Sequence, residues 1–323
     1  MRRWIEMIAS GQLARRVVLD AGLHTLAAGL DFLPRMRQRM ESCQLIEDVE
    51  YGQSGGERLL LDIVKPKSLG PHPVLMYFHG GGFAMASKRT HRGLAAAYAS
   101  QGYLVCNVDY RLAPKHAFPA ALEDACAAWL WMLDHVHEYG GDPMRACVAG
   151  ESAGGNLALA VTLACCTARP EQFAAPLFLR NMRPSAALIY CGFLQVSAPE
   201  RYNRPGVSKL ARKVAADAAT SYLGQTNARS TQETAMADPL CIVEGLTQAA
   251  SLPPVFIAAG LADPVAQDSQ RLETALTKLK SPQSTHYYPG ETHAFHVMFW
   301  REQAIQCWKD SFEFLREHLP PEH

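Results

Sequence analysis

Residues 150–155 read Gly150-Glu151-Ser152-Ala153-Gly154-Gly155. Glycines stand two positions either side of a serine, and a third glycine follows. A flexible turn accounts for glycine content; a strained elbow holding one hydroxyl clear of the backbone accounts for glycine position. The flanks separate these readings. Arg145–Ala149 has strand character, and Ala153–Cys166 is apolar all round, as a helix buried in the middle of a molecule would be. Strand, G-x-S-x-G, then helix is the setting a nucleophile elbow needs. A side chain at Gly150 or Gly154 would collide with neighbouring backbone, and the helix start after Ser152 leaves N–H groups free to meet negative charge.

A second glycine-rich stretch, His79-Gly80-Gly81-Gly82-Phe83, directly follows the apolar run Val74–Phe78. Three successive glycines let backbone N–H groups approach a ligand closely. Acyl transfer needs such donors because its tetrahedral intermediate carries an oxyanion. A phosphate cradle is the competing reading, but no Walker lysine-serine follows and no G-x-G-x-x-G occurs. Two such motifs at the C-terminal ends of strands in one sheet form a stronger signal than either alone.

The remaining chain supplies that sheet. Leu45–Tyr51 and Arg58–Val64 read as strands around a Gly-rich turn, and Val74–Phe78, Tyr103–Val108, Ala186–Cys191, Val255–Ala259 and Thr285–Tyr288 as further strands. Helices are expected over residues 3–40 (two or three of them), from Phe118-Pro119 onward, and over Ser208–Tyr222, Val265–Leu279 and Phe299–Leu315. In the last of these Ile305, Trp308, Phe312 and Leu315 would share a face. Strand–helix alternation from residue 74 predicts an α/β fold with a mostly parallel sheet.

Composition narrows the function. The 323 residues are 48% hydrophobic and 19% charged with zero formal net charge, which gives no basis for nucleic-acid binding. The nine cysteines show no C-x-x-C spacing and lie mostly in apolar runs, as buried free thiols in a reducing compartment would. No metal-ligand pattern is evident. Polar residues interrupt the N-terminal apolar stretch and no run is long enough to span a bilayer, so the expected location is cytoplasmic with no stable membrane anchor.

A serine nucleophile needs a base and an acid. His293 stands in Gly290-Glu291-Thr292-His293-Ala294-Phe295, between the last strand and the last helix. His296 is a weaker rival, His286 lies within a strand, and the other histidines, His91 among them, read as packed or solvated. Asp263, in Gly260-Leu261-Ala262-Asp263-Pro264 after a strand, is the expected acid, ahead of Asp268 in the following helix. The order Ser, Asp, His is that of α/β-hydrolases.

Six ordered motifs now resemble one known family. They are HGGGF, Asp109-Tyr110-Arg111-Leu112-Ala113-Pro114, Phe118-Pro119-Ala120-Ala121-Leu122-Glu123-Asp124, GESAGGN, Asp263-Pro264 and His293-Ala294-Phe295. Together they resemble the hormone-sensitive-lipase-like α/β-hydrolase esterases across roughly residues 45–315. The resemblance implies an α/β-hydrolase fold with an eight-stranded, mostly parallel sheet. N-terminal helices (1–44) and an insert (193–237) would form a helical cap over a core of residues 45–192 and 238–323. It implies Ser152 as nucleophile, Asp263 as acid and His293 as base. Gly81, Gly82 and Ala153 would be oxyanion donors, with His79, Gly80, Glu151 and Asn156 in support. It further implies a small-molecule ester of short or medium acyl chain as substrate, no cofactor, and a homodimer. Three positions depart from the family pattern: Glu151 where Asp is commoner, Val265 where Leu is, and Gln267 where a second acid often stands. An amidase or deacetylase would use the same triad, and a non-catalytic small-molecule receptor would use the same fold.

Overall fold

The two glycine-rich loops owe their proximity to the sheet order. In the computed structural model, which describes residues 20–22, 24–25, 34–224, 234–247 and 252–321, eight strands form one sheet in the order β1-β2-β4-β3-β5-β6-β7-β8. They are β1 (Cys43–Ser54), β2 (Glu57–Pro66), β3 (His72–Phe78), β4 (Leu104–Val108), β5 (Gly141–Glu151), β6 (Ala187–Tyr190), β7 (Val255–Gly260) and β8 (Gln283–Tyr288). The β1–β2 and β2–β4 pairs are antiparallel; every pair from β4 to β8 is parallel. From β3 the chain runs to β4 on one side and then returns to β5 on the other. The crevice at that switch point lies between the C-terminal ends of β3 and β5, where ligands collect in open α/β sheets, and the two glycine-rich loops follow those strands.

Successive side chains of the central strands enter opposite layers. Val74, Met76 and Phe78 of β3, with Val148, Ile189 and Ile257, face one layer. Leu75 and Tyr77, with Cys147, Ala149, Leu188 and Phe256, face the other. The first layer holds α3 (Ala120–His135), α4 (Ala153–Cys166), α5 (Ala175–Arg180), α7 (Pro239–Gly245) and α8 (Ala266–Lys278); the second holds α1 (Pro34–Ser42), α2 (Arg92–Ala99) and α9 (Glu302–His318). Every residue of α4 is buried, which explains why its sequence shows no polar face. Helix α6 (Lys209–Leu223) lies in the insert after β6 and corresponds to the helix expected over Ser208–Tyr222.

Two expectations need correction. Helix α2 was not foreseen: Arg92-Gly93-Leu94-Ala95-Ala96-Ala97-Tyr98-Ala99 carries no amphipathic stripe because Leu94 through Ala99 are all buried. The buried face of α9 is Ala304, Cys307, Trp308, Ser311, Phe314 and Leu315: of the expected stripe Trp308 and Leu315 are buried, whereas Ile305 is exposed and Phe312 only partly buried. Small and polar residues at 304, 307 and 311 let the helix approach the sheet, a role that hydrophobicity does not mark. Of the helices expected over residues 3–40, most of the span lies outside the described residues. No helix among the described residues is long and apolar enough to cross a membrane.

Candidate active site

Ser152 sits at the sharp turn between β5 and α4 with φ +56° and ψ −117°, a left-handed backbone rarely adopted by a residue with a side chain. The turn closes only because its neighbours are glycine. A Cβ on Gly154 would lie 1.9 Å from the Phe78 carbonyl oxygen, and one on Gly150 2.4 Å from the Gly154 backbone. The Ser152 N–H donates to the Tyr190 carbonyl at 2.9 Å, and the Phe193 N–H donates to the Ser152 carbonyl at 3.0 Å. The elbow is thus tied to the end of β6 from both sides.

Two loops bring partners to the hydroxyl. His293 follows β8 and places Nε2 2.9 Å from Ser152 Oγ. Asp263 follows β7 and places Oδ2 2.9 Å from His293 Nδ1. The second carboxylate oxygen of Asp263 accepts the Val265 N–H at 2.9 Å. That contact uses the backbone of residue 265, while the Val265 side chain is buried in the core. With Nδ1–H donating to the carboxylate, Nε2 is left as an acceptor for the serine hydroxyl. Burial pulls the His293 imidazole down, but the charge and hydrogen bond of Asp263 outweigh it and leave its pKa raised.

The loop after β3 lies opposite. Gly81 has φ +103°, and a Cβ there would fall 2.2 Å from the Met85 carbonyl oxygen. Among the described residues no acceptor meets the N–H of Gly81, Gly82 or Ala153. Glu151 holds this loop. Its buried carboxylate accepts the Gly80 N–H, the Tyr77 hydroxyl and, at 2.7 Å, His91 Nε2. Burial favours the protonated acid, but the His91 charge and these hydrogen bonds win and hold the carboxyl near pKa 2. His79 is buried and stacked on Tyr110 at 4.3 Å, with Nδ1 2.7 Å from the Gly80 carbonyl; burial, aided by the His91 charge, lowers its pKa to about 3. Asn156 donates through Nδ2 to the carbonyls of Phe193 (2.9 Å) and Ala237 (3.0 Å), fastening α4 to both ends of the insert.

The rival residues have other surroundings. Asp268, in the first turn of α8, accepts the Leu194 N–H at 2.9 Å and the Tyr202 hydroxyl at 3.1 Å and pairs with Arg201 at 2.6 Å, latching the start of the insert. His296 stacks on Tyr190 at 4.8 Å with neither ring nitrogen hydrogen-bonded among the described residues, and burial lowers its pKa to about 4. His91, read from sequence as packed or solvated, is buried and its Nε2 pairs with Glu151; no local pattern marks the pairing, because it spans 60 residues.

Helix α6 borders the crevice. A Cβ on Gly82 would lie 3.2 Å from that of Ala218, and Tyr222 stacks on Phe83 with ring centroids 3.6 Å apart. On the far side, the thiol of Cys191, a carboxylate oxygen of Asp263 and a ring nitrogen of His293 all lie within 4.8 Å of one another.

A profile of the alpha/beta hydrolase fold matches residues 75–297. Esterase LipI of Mycobacterium tuberculosis is 29% identical over 284 residues, covering 87% of this chain and 83% of that protein. Carboxylesterase NlhH of the same organism is 37% identical over 142 residues, covering 43% of this chain and 42% of its own length. Human hormone-sensitive lipase is 40% identical over 91 residues, 28% of this chain and 8% of that much longer one. Among solved structures, a bacterial heroin esterase superimposes with a TM-score of 0.75 at 24% identity, covering 94% of this chain and 90% of its own. A Pyrobaculum calidifontis esterase gives 0.72 at 21%, covering 95% and 94%. The chain belongs to the alpha/beta hydrolase fold family, in its hormone-sensitive-lipase-like branch.

Proposed function

We propose that this protein is a serine carboxylic-ester hydrolase that works through an acyl-enzyme. The observation that carries the reading is the hydrogen-bonded series from Ser152 Oγ through His293 to the buried Asp263. Ser152 Oγ attacks the ester carbonyl as His293 Nε2 takes its proton. The oxyanion forms against the amides of Gly81, Gly82 and Ala153, each worth about 2.7–4 kcal/mol to a transition state in comparable sites. His293 returns the proton to the departing alcohol, then activates the water that releases the acid. Asp263 holds the tautomer and stabilises the imidazolium.

The substrates in this reading are esters of short to medium acyl chain, a preference supported by Ala218 and the Tyr222–Phe83 stack, which bring α6 close to the glycine strip. The names of the curated relatives agree in chemistry. In this reading the insert around α6 acts as part of a cap. The test is Ser152→Ala assayed on p-nitrophenyl acetate, butyrate and octanoate and on a matching anilide, alongside fluorophosphonate labelling of the wild type. Loss of ester turnover and of labelling in a variant that still folds is expected; retained turnover would sink the assignment, and faster anilide than ester cleavage would make the protein an amidase.

A further inference from the structure

The mechanism leaves Cys191 unused, although it sits against all three members of the proposed triad. It directly follows β6, has a left-handed backbone (φ +39°), and is 1% exposed. Its sulfur lies against the backbone amides of Ser152 and Ala294, and within 4.8 Å of both the Asp263 carboxylate and a His293 ring nitrogen. Sulfur, carboxylate oxygen and imidazole nitrogen are the donor types that hold zinc and its heavier congener. We propose that Cys191, Asp263 and His293 form an inhibitory site for a thiophilic divalent cation, zinc or cadmium.

The bond lengths of such an ion put its ligand atoms roughly 3.5 Å apart. The Asp263–His293 contact at 2.9 Å must therefore open a little and the sulfur close in. His293 is the ligand able to move: its side chain is 38% exposed while the Asp263 side chain is fully buried. The balance of protons explains the inhibition. The ion takes the Nδ1 lone pair, the proton from Nδ1 relocates to Nε2, and the Cys191 thiol releases its proton to solvent. Divalent cation, thiolate, carboxylate and neutral imidazole then sum to zero charge, which suits a buried position. The Nε2 atom, now carrying hydrogen, faces Ser152 Oγ as a donor and no longer accepts its proton. No paired cysteine or histidine spacing announces the site, because its ligands come from three loops far apart in sequence.

The experiment separates binding from catalysis. Ser152→Ala protein, which needs no catalytic competence, is titrated with cadmium chloride while the ultraviolet cadmium–thiolate absorption is followed. One equivalent that survives Cys241→Ala, the exposed cysteine, and disappears with Cys191→Ala is expected. In the otherwise wild-type chain, zinc or cadmium should inhibit ester hydrolysis reversibly with a chelator, and Cys191→Ala should raise the inhibitory concentration by at least about tenfold. Cys191→Ser serves if the alanine variant does not fold. A cadmium–thiolate band unchanged by loss of Cys191, or equal metal sensitivity of the Cys191 variants and wild type, overturns the proposal. Absence of any ester hydrolysis would instead count against the functional reading, leaving the binding result to stand by itself.

Discussion

The carboxylate of Glu151 accepts the N–H of Gly80, so the residue before Ser152, the proposed nucleophile, grips the residue before Gly81 and Gly82, the proposed oxyanion strip. One buried anion thus sets the distance between Ser152 and the amides of Gly81 and Gly82. Glu151→Gln keeps the size but breaks the pair with His91, and breaking a buried pair from one side destabilises by about 3–5 kcal/mol. The expected result is a lower unfolding midpoint in urea together with reduced kcat and little change in KM, since the donors are needed most in the transition state. A variant with wild-type kcat would show that the grip has no bearing on the oxyanion strip.

Asp263 and Asp268 stand five residues apart and should fail differently. Asp263→Asn preserves the hydrogen-bonding shape but removes the charge that orients and stabilises the imidazole, a change that lowers kcat about 10⁴-fold in an equivalent triad. Its unfolding midpoint should remain near that of the wild type. Asp268→Ala deprives two backbone amides, Tyr202 and Arg201 of their acceptor. It should cost about 3–5 kcal/mol of stability, while the folded fraction keeps its turnover at low temperature. Parallel denaturation and active-site titration check both, and an Asp268 variant that folds normally but lacks catalysis would reverse the assignment.

Tyr222 ties α6 to the glycine strip by its ring and not by its hydroxyl. The ring stacks on Phe83 and meets Phe118 edge-on at 5.5 Å, while the buried oxygen has no hydrogen-bond partner among the described residues. Removing a buried, unpartnered hydroxyl relieves a desolvation penalty of about 1–3 kcal/mol. Tyr222→Phe should therefore be at least as stable as wild type with unchanged kcat. Tyr222→Ala should lose about 3–5 kcal/mol and relax the preference for short acyl chains as α6 loosens. A chain-length profile with thermal melts of both variants measures this.

The elbow glycines and the hydrogen-bonded Ser152–His293–Asp263 series were legible in the sequence because residue type is restricted at each place. Gly154 faces a carbonyl that would overlap any side chain, and only His293 among the histidines followed the last strand in a loop framed by Gly290 and Ala294. Strands were legible for a related reason: Val74–Phe78 and Val255–Ala259 are buried on both faces, so an unbroken apolar run suffices to mark them. What escaped were contacts whose partners are distant in sequence. Glu151 with His91, Asp268 with Leu194, and Cys191 with Asp263 each join residues brought together only by the sheet order. Helix α2 escaped because full burial erased its periodicity.

The buried histidines set the acid limit of stability. His79 and His296 have folded pKa values lowered by burial to about 3 and 4, against about 6.5 in an unfolded chain. Below about pH 6.5 the unfolded state therefore binds protons that the folded state refuses, and stability falls as the medium acidifies, by about 1.4 kcal/mol per pH unit for each such group. His91 has the opposite sign: Glu151 and its hydrogen bonds, after overcoming burial, raise it, so its contribution is complete below the unfolded pKa and is lost as pH rises through the folded one. Glu151, held near 2, gives up its contribution only as pH falls from about 4.3 toward 2. Stability should thus peak near neutrality and drop between pH 6.5 and 4. His296→Phe keeps the stacking on Tyr190 and deletes one titration, so it should flatten that acid slope by one proton. Urea midpoints measured from pH 4 to 8 give the slope directly, and an unaltered slope in His296→Phe would mean that the imidazole is not held neutral in the fold.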